Sequence, residues 1–317
     1  MKKKLRAAIL LAVMILNIFA VSMTAYAAEE PVLNSKAGIV MNADTGEVLW
    51  SQDAKTTYFP ASITKVMTAL LVMENCKMDD VVTFSKSATT NLESGATTAQ
   101  ISAGDKLTVK ECLYALMLKS ANEVANGLAE HIAGSVPAFA EMMNKRAREL
   151  GCTNTHFVNP NGLNDSNHVT TAHDMALITA AAFKYDELRA IDTTEKYTLP
   201  ATKVNPSGTV LNLNNKILMK KHEKYYPYAI AGKTGYTSKA GNTLVTMAEK
   251  DGVRLVTVTL MNKKYLAHYD DTKAMLEYGF DIMAQRENET AQSETDTASG
   301  NEIGPGVETT VELVGPQ

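Results

Sequence analysis

Two apolar-rich runs, Ala37–Ala43 and Glu47–Gln52, flank Asp44-Thr45-Gly46, a pattern that predicts a β-hairpin near the start of the chain. The period then changes. Ile63, Val66, Met67, Leu70 and Leu71 recur at helical spacing, which predicts a buried helix over Ile63–Asn75. Val109–Leu118 and Glu123–Ile132 read as two further helices separated by Lys119-Ser120-Ala121-Asn122. Ser135 with Pro137 opens another helix, which Gly151 ends. Thr171-Ala172-His173-Asp174 resembles a capping box opening a helix through Phe183. Strand patterns return late: Ala229–Tyr236, then Asn242–Glu249 and Val253–Met261 around Lys250-Asp251-Gly252, a second hairpin. An amphipathic helix over Asp270–Ala284 closes the series.

Strands lie at both ends and helices between them. The simplest packing is an α/β chain of the α+β type: one antiparallel sheet flanked by helices, with a helical lobe over roughly residues 76–185. From Gln285 to Gln317 the chain is rich in Glu, Thr, Ser and Gly and holds seven acids against one base, Arg286. That composition predicts a solvated, mobile tail, with Val307–Val314 as one short strand.

The first residues change the picture. Lys2, Lys3, Lys4 and Arg6 precede an apolar run, Ala7–Ala20, broken only by Asn17. Ala25-Tyr26-Ala27 is a small-x-small cleavage signal, so residues 1–27 read as an export signal peptide. The run is short for a membrane span of ~20 residues. Removing 27 of 317 residues leaves 290, without a clear membrane anchor; four bases and no acids are lost, so the net charge falls from −4 to −8. The folded domain then covers residues 28–284. An acidic chain without a basic patch argues against a nucleic-acid partner. Outside the cytoplasm nucleotide cofactors are scarce, and no phosphate-cradling glycine motif occurs. Hydrolysis needs only water, so no cofactor is expected.

Three short motifs carry candidate chemistry. Ser62-Ile63-Thr64-Lys65 follows Pro60 and opens a helix, where free N–H groups favour developing negative charge. Lys65 lies one turn on, within reach of the Ser62 hydroxyl, and serves as its base if its pKa is depressed. A helix cap and a surface lysine are the plain alternative; about one S-x-x-K is expected by chance. Lys233-Thr234-Gly235 lies in a strand-like run. There a lysine suits a substrate carboxylate and keeps a nearby amine neutral, while a glycine admits close ligand approach. An edge-strand lysine before a bulge is the alternative. Ser120-Ala121-Asn122 sits between helices: Ser120 suits a proton relay and Asn122 a substrate amide, and both equally suit helix capping. Ser299-Gly300-Asn301 matches the same loose pattern.

The three in this order, separated by 58 and 113 residues, form a known set. The sequence resembles the low-molecular-mass penicillin-binding proteins, the D-alanyl-D-alanine carboxypeptidases. Phe59-Pro60-Ala61-Ser62, Phe157–Leu163, Thr170–Ala176 and Lys233-Thr234-Gly235-Tyr236-Thr237 also look like that family, over roughly Ala37 to Ala284. The resemblance implies a β-lactamase/transpeptidase-like fold with the site between sheet and helical lobe. It implies that Ser62 attacks the bond between the terminal D-alanines of a peptidoglycan stem peptide while Lys65 takes its proton. Backbone N–H groups of Ser62 and Tyr236 would form the oxyanion hole. Ser120 would pass a proton to the departing D-alanine and Asn122 would orient the peptide. Lys233 and Thr234, with Gly235, Tyr236 and Thr237 beside them, would bind the substrate end. β-Lactams would acylate Ser62. Relatives often carry an arginine before the last helix, where this chain has His268 with Lys263 and Lys264 nearby; relatives also usually continue into a further domain and an anchoring helix.

A class A β-lactamase shares these motifs but needs a deacylating glutamate, usually in E-x-x-L-N, which this sequence lacks. A non-catalytic peptidoglycan-binding protein on the same fold is the other rival. The six histidines show no H-x-x-x-H or H-E-x-x-H spacing, so no metal site is expected. Cys76, Cys112 and Cys152 read as buried thiols without an evident His partner, and a disulfide among them is left open.

Overall fold

The computed structural model describes residues 28–299 except 91 and 94, with side chains to residue 291. The expected signal peptide, residues 300–317 and the expected strand Val307–Val314 lie outside the described residues. The first hairpin is present as β1 (Ala37–Asn42) and β2 (Val48–Gln52). A short antiparallel pair, β3 (Val81–Thr83) and β4 (Lys106–Thr108), lies among the helices; another, β5 (Lys196–Leu199) and β6 (Thr209–Asn212), precedes the late strands. These pairs are only three and four residues per strand, too short to leave a period in the sequence. The main sheet is completed by β7 (Ala229–Thr237), β8 (Gly241–Lys250) and β9 (Val253–Asn262), in the order β2-β1-β9-β8-β7, every neighbour antiparallel. Chain ends meet in its middle: Ile39 pairs with Val258 and Val40 with Thr257.

The helices are α1 (Lys65–Asn75), α2 (Lys86–Thr90), α3 (Val109–Tyr114), α4 (Asn122–Ala133), α5 (Val136–Glu149), α6 (Ala172–Ala182), α7 (Asp186–Asp192) and α8 (Ala267–Ser299). Both α6 and α8 pack against β1, β8 and β9, and β1 is buried at all six positions, so both faces of the sheet are covered. Helix α6 also packs on α1, and its sequence AHDMALITAAA is buried almost throughout, as a helix between two layers must be.

Four local readings are corrected. The helix expected from Ile63 begins with a 3₁₀ turn, Ala61–Thr64, and becomes α-helical at Lys65. The helix expected over Val109–Leu118 is α only to Tyr114 and then widens into a π turn, Ala115–Lys119. Thr171 caps α6 by accepting from Asp174 N (3.0 Å), but the Asp174 carboxylate does not complete a capping box. It accepts instead from Asn154 N (2.8 Å) and Thr155 Oγ1 (2.7 Å). Finally, α8 continues past Ala284 through Ser299 where a mobile tail is expected. No Gly or Pro interrupts Gln285–Ser299, and Arg286 pairs with Glu47 of the first hairpin at 2.8 Å. All three cysteines are free thiols; Cys112 and Cys152 are buried and Cys76 is only half-buried. Among the described residues no helix is long and apolar enough to cross a membrane.

Candidate active site

The turn that carries Ser62 is held from three sides. Before it, Tyr58 and Thr170 exchange backbone hydrogen bonds of 2.8 and 2.9 Å. Ala61 then takes a left-handed φ of +52°, an uncommon conformation for a residue with a Cβ. Gly162, at φ +85°, lies against it so closely that a Cβ there would fall 1.9 Å from the Ala61 carbonyl oxygen. From the sheet, Thr243 Oγ1 donates to Pro60 O at 2.8 Å. Also from the sheet, Gly235 of β7 abuts the turn: a Cβ there would lie 2.8 Å from Ser62 N and 3.1 Å from Ile63 N. The glycine of the Lys233-Thr234-Gly235 motif is thus required by backbone-to-backbone contact with the serine turn.

Lys65 starts α1 and is fully buried. Its Nζ donates to Ser62 Oγ (3.1 Å), Asn122 Oδ1 (2.7 Å) and the Asn161 carbonyl (2.5 Å). Three acceptors fix the amine where it can serve the hydroxyl. Burial pushes its pKa well below the ordinary lysine range, and the charge of Lys233 adds to this, against a smaller opposing pull from Glu123. The S-x-x-K and K-T-G motifs, far apart in sequence, are therefore electrostatic neighbours.

Ser120 follows the π turn in a left-handed conformation, φ +60°, and its Oγ is buried without a hydrogen-bond partner in the structure. Asn122 opens α4. Its backbone N–H and its Nδ2 both donate to Thr97 O at 3.0 Å, while Oδ1 accepts from Lys65. The side chain expected to orient a substrate amide is thus first a strut between the base and the Thr97 segment, with one amide hydrogen uncommitted.

On β7, Lys233 and Gly235 are buried, Thr234 is half-buried and Tyr236 is 67% exposed, the alternation of a strand with one face on the core. Lys233 Nζ donates to Thr234 O at 3.0 Å. Burial lowers its pKa to about 8, opposed by the nearby Asp192. Asp192, itself buried at the end of α7, accepts from Gly232 N at 2.6 Å, and burial raises its pKa to about 7. Strand β7 ends the sheet order, so among the described residues its outer edge has no strand partner.

Two cavities meet at Ser62 and share Thr97 and Tyr236. One, of about 530 Å³, is lined by Ser62, Ser120, Lys216, Thr234, Gly235 and His268 among others. The other, of about 330 Å³, is lined by Ser62, Asn122, Gly162, Tyr236 and Thr237 among others. A further cavity of about 610 Å³ adjoins the second through Glu93, Leu163 and Asn164. His268, where the resemblance leads to the expectation of an arginine, is buried with an unpartnered Nδ1; burial lowers its pKa to about 4, so it is neutral near pH 7. Lys216 is the cation that shares its cavity with Thr234 and His268, together with Lys119.

Several contributors carry no sequence signal of their own. Asn161 serves Lys65 through its backbone carbonyl, while its buried side chain donates to Asn126 Oδ1 (2.9 Å) and accepts from Leu163 N (2.9 Å). Glu123 holds the segment above the site by accepting from Ala99 N (2.6 Å) and Ile101 N (3.3 Å). His168 lies behind α1: Val158 N donates to its Nδ1 (3.0 Å), which leaves Nε2–H to donate to Thr64 Oγ1 (2.8 Å). Burial lowers the His168 pKa to about 3.

The chain is similar to proteins already known. A family model described as D-alanyl-D-alanine carboxypeptidase matches residues 24–264. The chain is 33% identical over 252 residues to D-alanyl-D-alanine carboxypeptidase DacF of Bacillus subtilis, covering 78% of this chain and 62% of that one. It is 30% identical over 277 residues to D-alanyl-D-alanine carboxypeptidase DacC of Escherichia coli, covering 83% of this chain and 66% of the relative. The chain thus spans less than two thirds of the length of these two relatives. Among solved structures, the Streptomyces K15 DD-transpeptidase superposes with a TM-score of 0.72 at 30% identity, covering 80% of this chain and 99% of that one.

Proposed function

Because the chain belongs to the D-alanyl-D-alanine carboxypeptidase family, we propose that it is a serine-type D-Ala-D-Ala carboxypeptidase that removes the terminal D-alanine from peptidoglycan stem pentapeptides. The observation that carries this reading is the Ser62–Lys65 pair, a hydroxyl 3.1 Å from a buried amine whose proton is held weakly. With Lys65 neutral, Ser62 donates its hydroxyl hydrogen to the Nζ lone pair as Oγ attacks the peptide carbonyl. The oxyanion forms beside the N–H groups of Ser62 and Tyr236, a reading supported by Gly235, the residue before Tyr236, lying against Ser62 N. Ser120, whose Oγ has no other partner, carries the proton to the departing D-alanine nitrogen. Water then cleaves the ester and returns Ser62.

The terminal carboxylate enters the cavity of Thr234, Lys216 and His268. Lys216 supplies there the full charge that a neutral imidazole cannot. Penicillin presents the same carboxylate and a strained amide, and acylates Ser62. The stem peptide is an extracytoplasmic substrate, consistent with the leader over residues 1–27 and with the chain working in the cell envelope or secreted.

The test is mass spectrometry of the intact protein after exposure to penicillin, together with D-alanine release from a synthetic pentapeptide. One penicilloyl adduct and D-alanine release are expected, both lost in Ser62→Ala. Normal release by that variant would remove Ser62 from its role. Sustained, fast nitrocefin turnover in place of a single burst would favour the β-lactamase reading.

A further inference from the structure

On the far end of α1 from Ser62, three metal-ligating side chains that the sequence keeps apart come together. Cys76 is the residue that ends α1, Asp80 lies in the loop after it, and His131 lies in the last turn of α4. Their ligating atoms, one thiol sulfur, one carboxylate oxygen and one imidazole nitrogen, all lie within 4.8 Å of one another. Spacing alone gave no hint, because His131 stands 55 positions after Cys76 and no H-x-x-x-H accompanies it.

We propose that Cys76, Asp80 and His131 form a binding site for a divalent zinc-like cation, held by three protein ligands with the fourth position left to water. The ligand set suits that ion. Zinc accepts sulfur, nitrogen and oxygen donors in one tetrahedron at ~2.0–2.3 Å, whereas calcium and magnesium take oxygen donors. Ligand–ligand edges of such a tetrahedron are roughly 3.3–3.8 Å, and spacings within 4.8 Å close to it by small rotations of the three side chains. Binding replaces the thiol proton of Cys76 with the metal and releases that proton to water.

The surroundings support a cation. Cys76 ends α1 and His131 lies in the last turn of α4, so the negative ends of two helices converge on the site. Among the described residues none of the ion pairs uses Asp80 or His131. The loop is also preorganised. Asp80 Oδ2 accepts from Lys77 N (2.8 Å), Asp80 O accepts from Val109 N (2.8 Å), and Met78 O accepts from Lys110 N (3.0 Å). The last two bonds tie the loop to the first turn of α3, and a ligating carboxylate that is itself hydrogen-bonded is a common support in metal sites. His131 and Cys76 are accessible enough for an ion to enter.

The experiment is independent of the chemistry at Ser62. Full-length protein with reduced thiols, stripped by a chelator, is titrated with zinc by calorimetry and with cobalt(II) by absorption. One zinc per chain is expected, with no comparable binding of calcium or magnesium, and a thiolate-to-cobalt charge-transfer band. Cys76→Ser should abolish the band. Both Cys76→Ser and His131→Ala should weaken zinc binding by about 100-fold or more, beyond the loss typical of an outer-shell partner. His131 is exposed, so its variant keeps the fold, which circular dichroism checks. Absence of stoichiometric zinc binding in the unaltered protein, or binding unchanged in both variants, overturns the site.

Discussion

Gly235 presses directly on Ser62: a Cβ on the glycine would lie 2.8 Å from the Ser62 nitrogen and 2.5 Å from Thr243 Oγ1. The edge strand and the nucleophile turn are therefore seated against each other through bare backbone, and any side chain must push them apart. Gly235→Ala should slow penicillin acylation by about 100-fold, the scale expected when reacting groups are displaced by roughly 1 Å. Acylation kinetics alongside a thermal melt check this. An alanine variant that acylates at the normal rate would show that the contact does not set the geometry.

Lys65 is expected to act as a base only when neutral, and Lys233 helps to keep it so. Lys65→Arg should lose about 100-fold or more in acylation, because guanidinium holds its proton at any working pH. Replacing Lys233 by Met removes a positive neighbour, which raises the Lys65 pKa and should move the acid limb of the acylation pH profile to higher pH. An acid limb at the same pH in the Met variant would argue against this coupling.

Lys216 shares its cavity with Ser62 and Thr234, where the substrate carboxylate is expected. Lys216→Met should raise KM for a pentapeptide by roughly tenfold, the loss of one partly exposed charge-assisted contact, with little change in kcat. Lys216→Arg should restore most of it. Steady-state kinetics on the three forms decide the matter; an unchanged KM in the Met variant excludes this role.

Acid should destabilise the fold through His168, and the buried His268 adds to the effect. Both have folded pKa values below the ordinary value of 6.5, at about 3 and about 4. Their neutral forms thus contribute stability that is present above pH 6.5 and is lost as pH falls toward 3. For His168, which is 1% exposed, the full span is on the order of 5 kcal/mol. Melting temperature should fall over that range, and His168→Gln should flatten the dependence. An equally steep fall in the variant would assign the acid sensitivity to other groups.

The helices and strands that leave a period in the chain were legible from residues alone: the hairpin around Asp44-Thr45-Gly46, the helix after Ser62, the late strands. The 3-residue strands β3 and β4 were not, since each spans a single alternation. The extension of α8 was hidden because an acidic, polar composition reads the same whether it is coil or a solvent-facing helix. At the site, Ser62, Lys65, Ser120, Asn122 and Lys233 were legible as motif letters. Asn161 and Asp192 were not, because one acts through its main chain and the other through burial 41 positions before Lys233.

Residue types, order and local spacing were enough to determine which hydroxyl and which amines are candidates, because a nucleophile one helical turn from its base is a local relationship. The depressed basicity of Lys65, the strut role of Asn122 and the pairing of Cys76 and Asp80 with His131 were decided only by the tertiary structure. They depend on desolvation and on distances between groups 25 to 168 positions apart, and only the packed sheet and helices set those quantities.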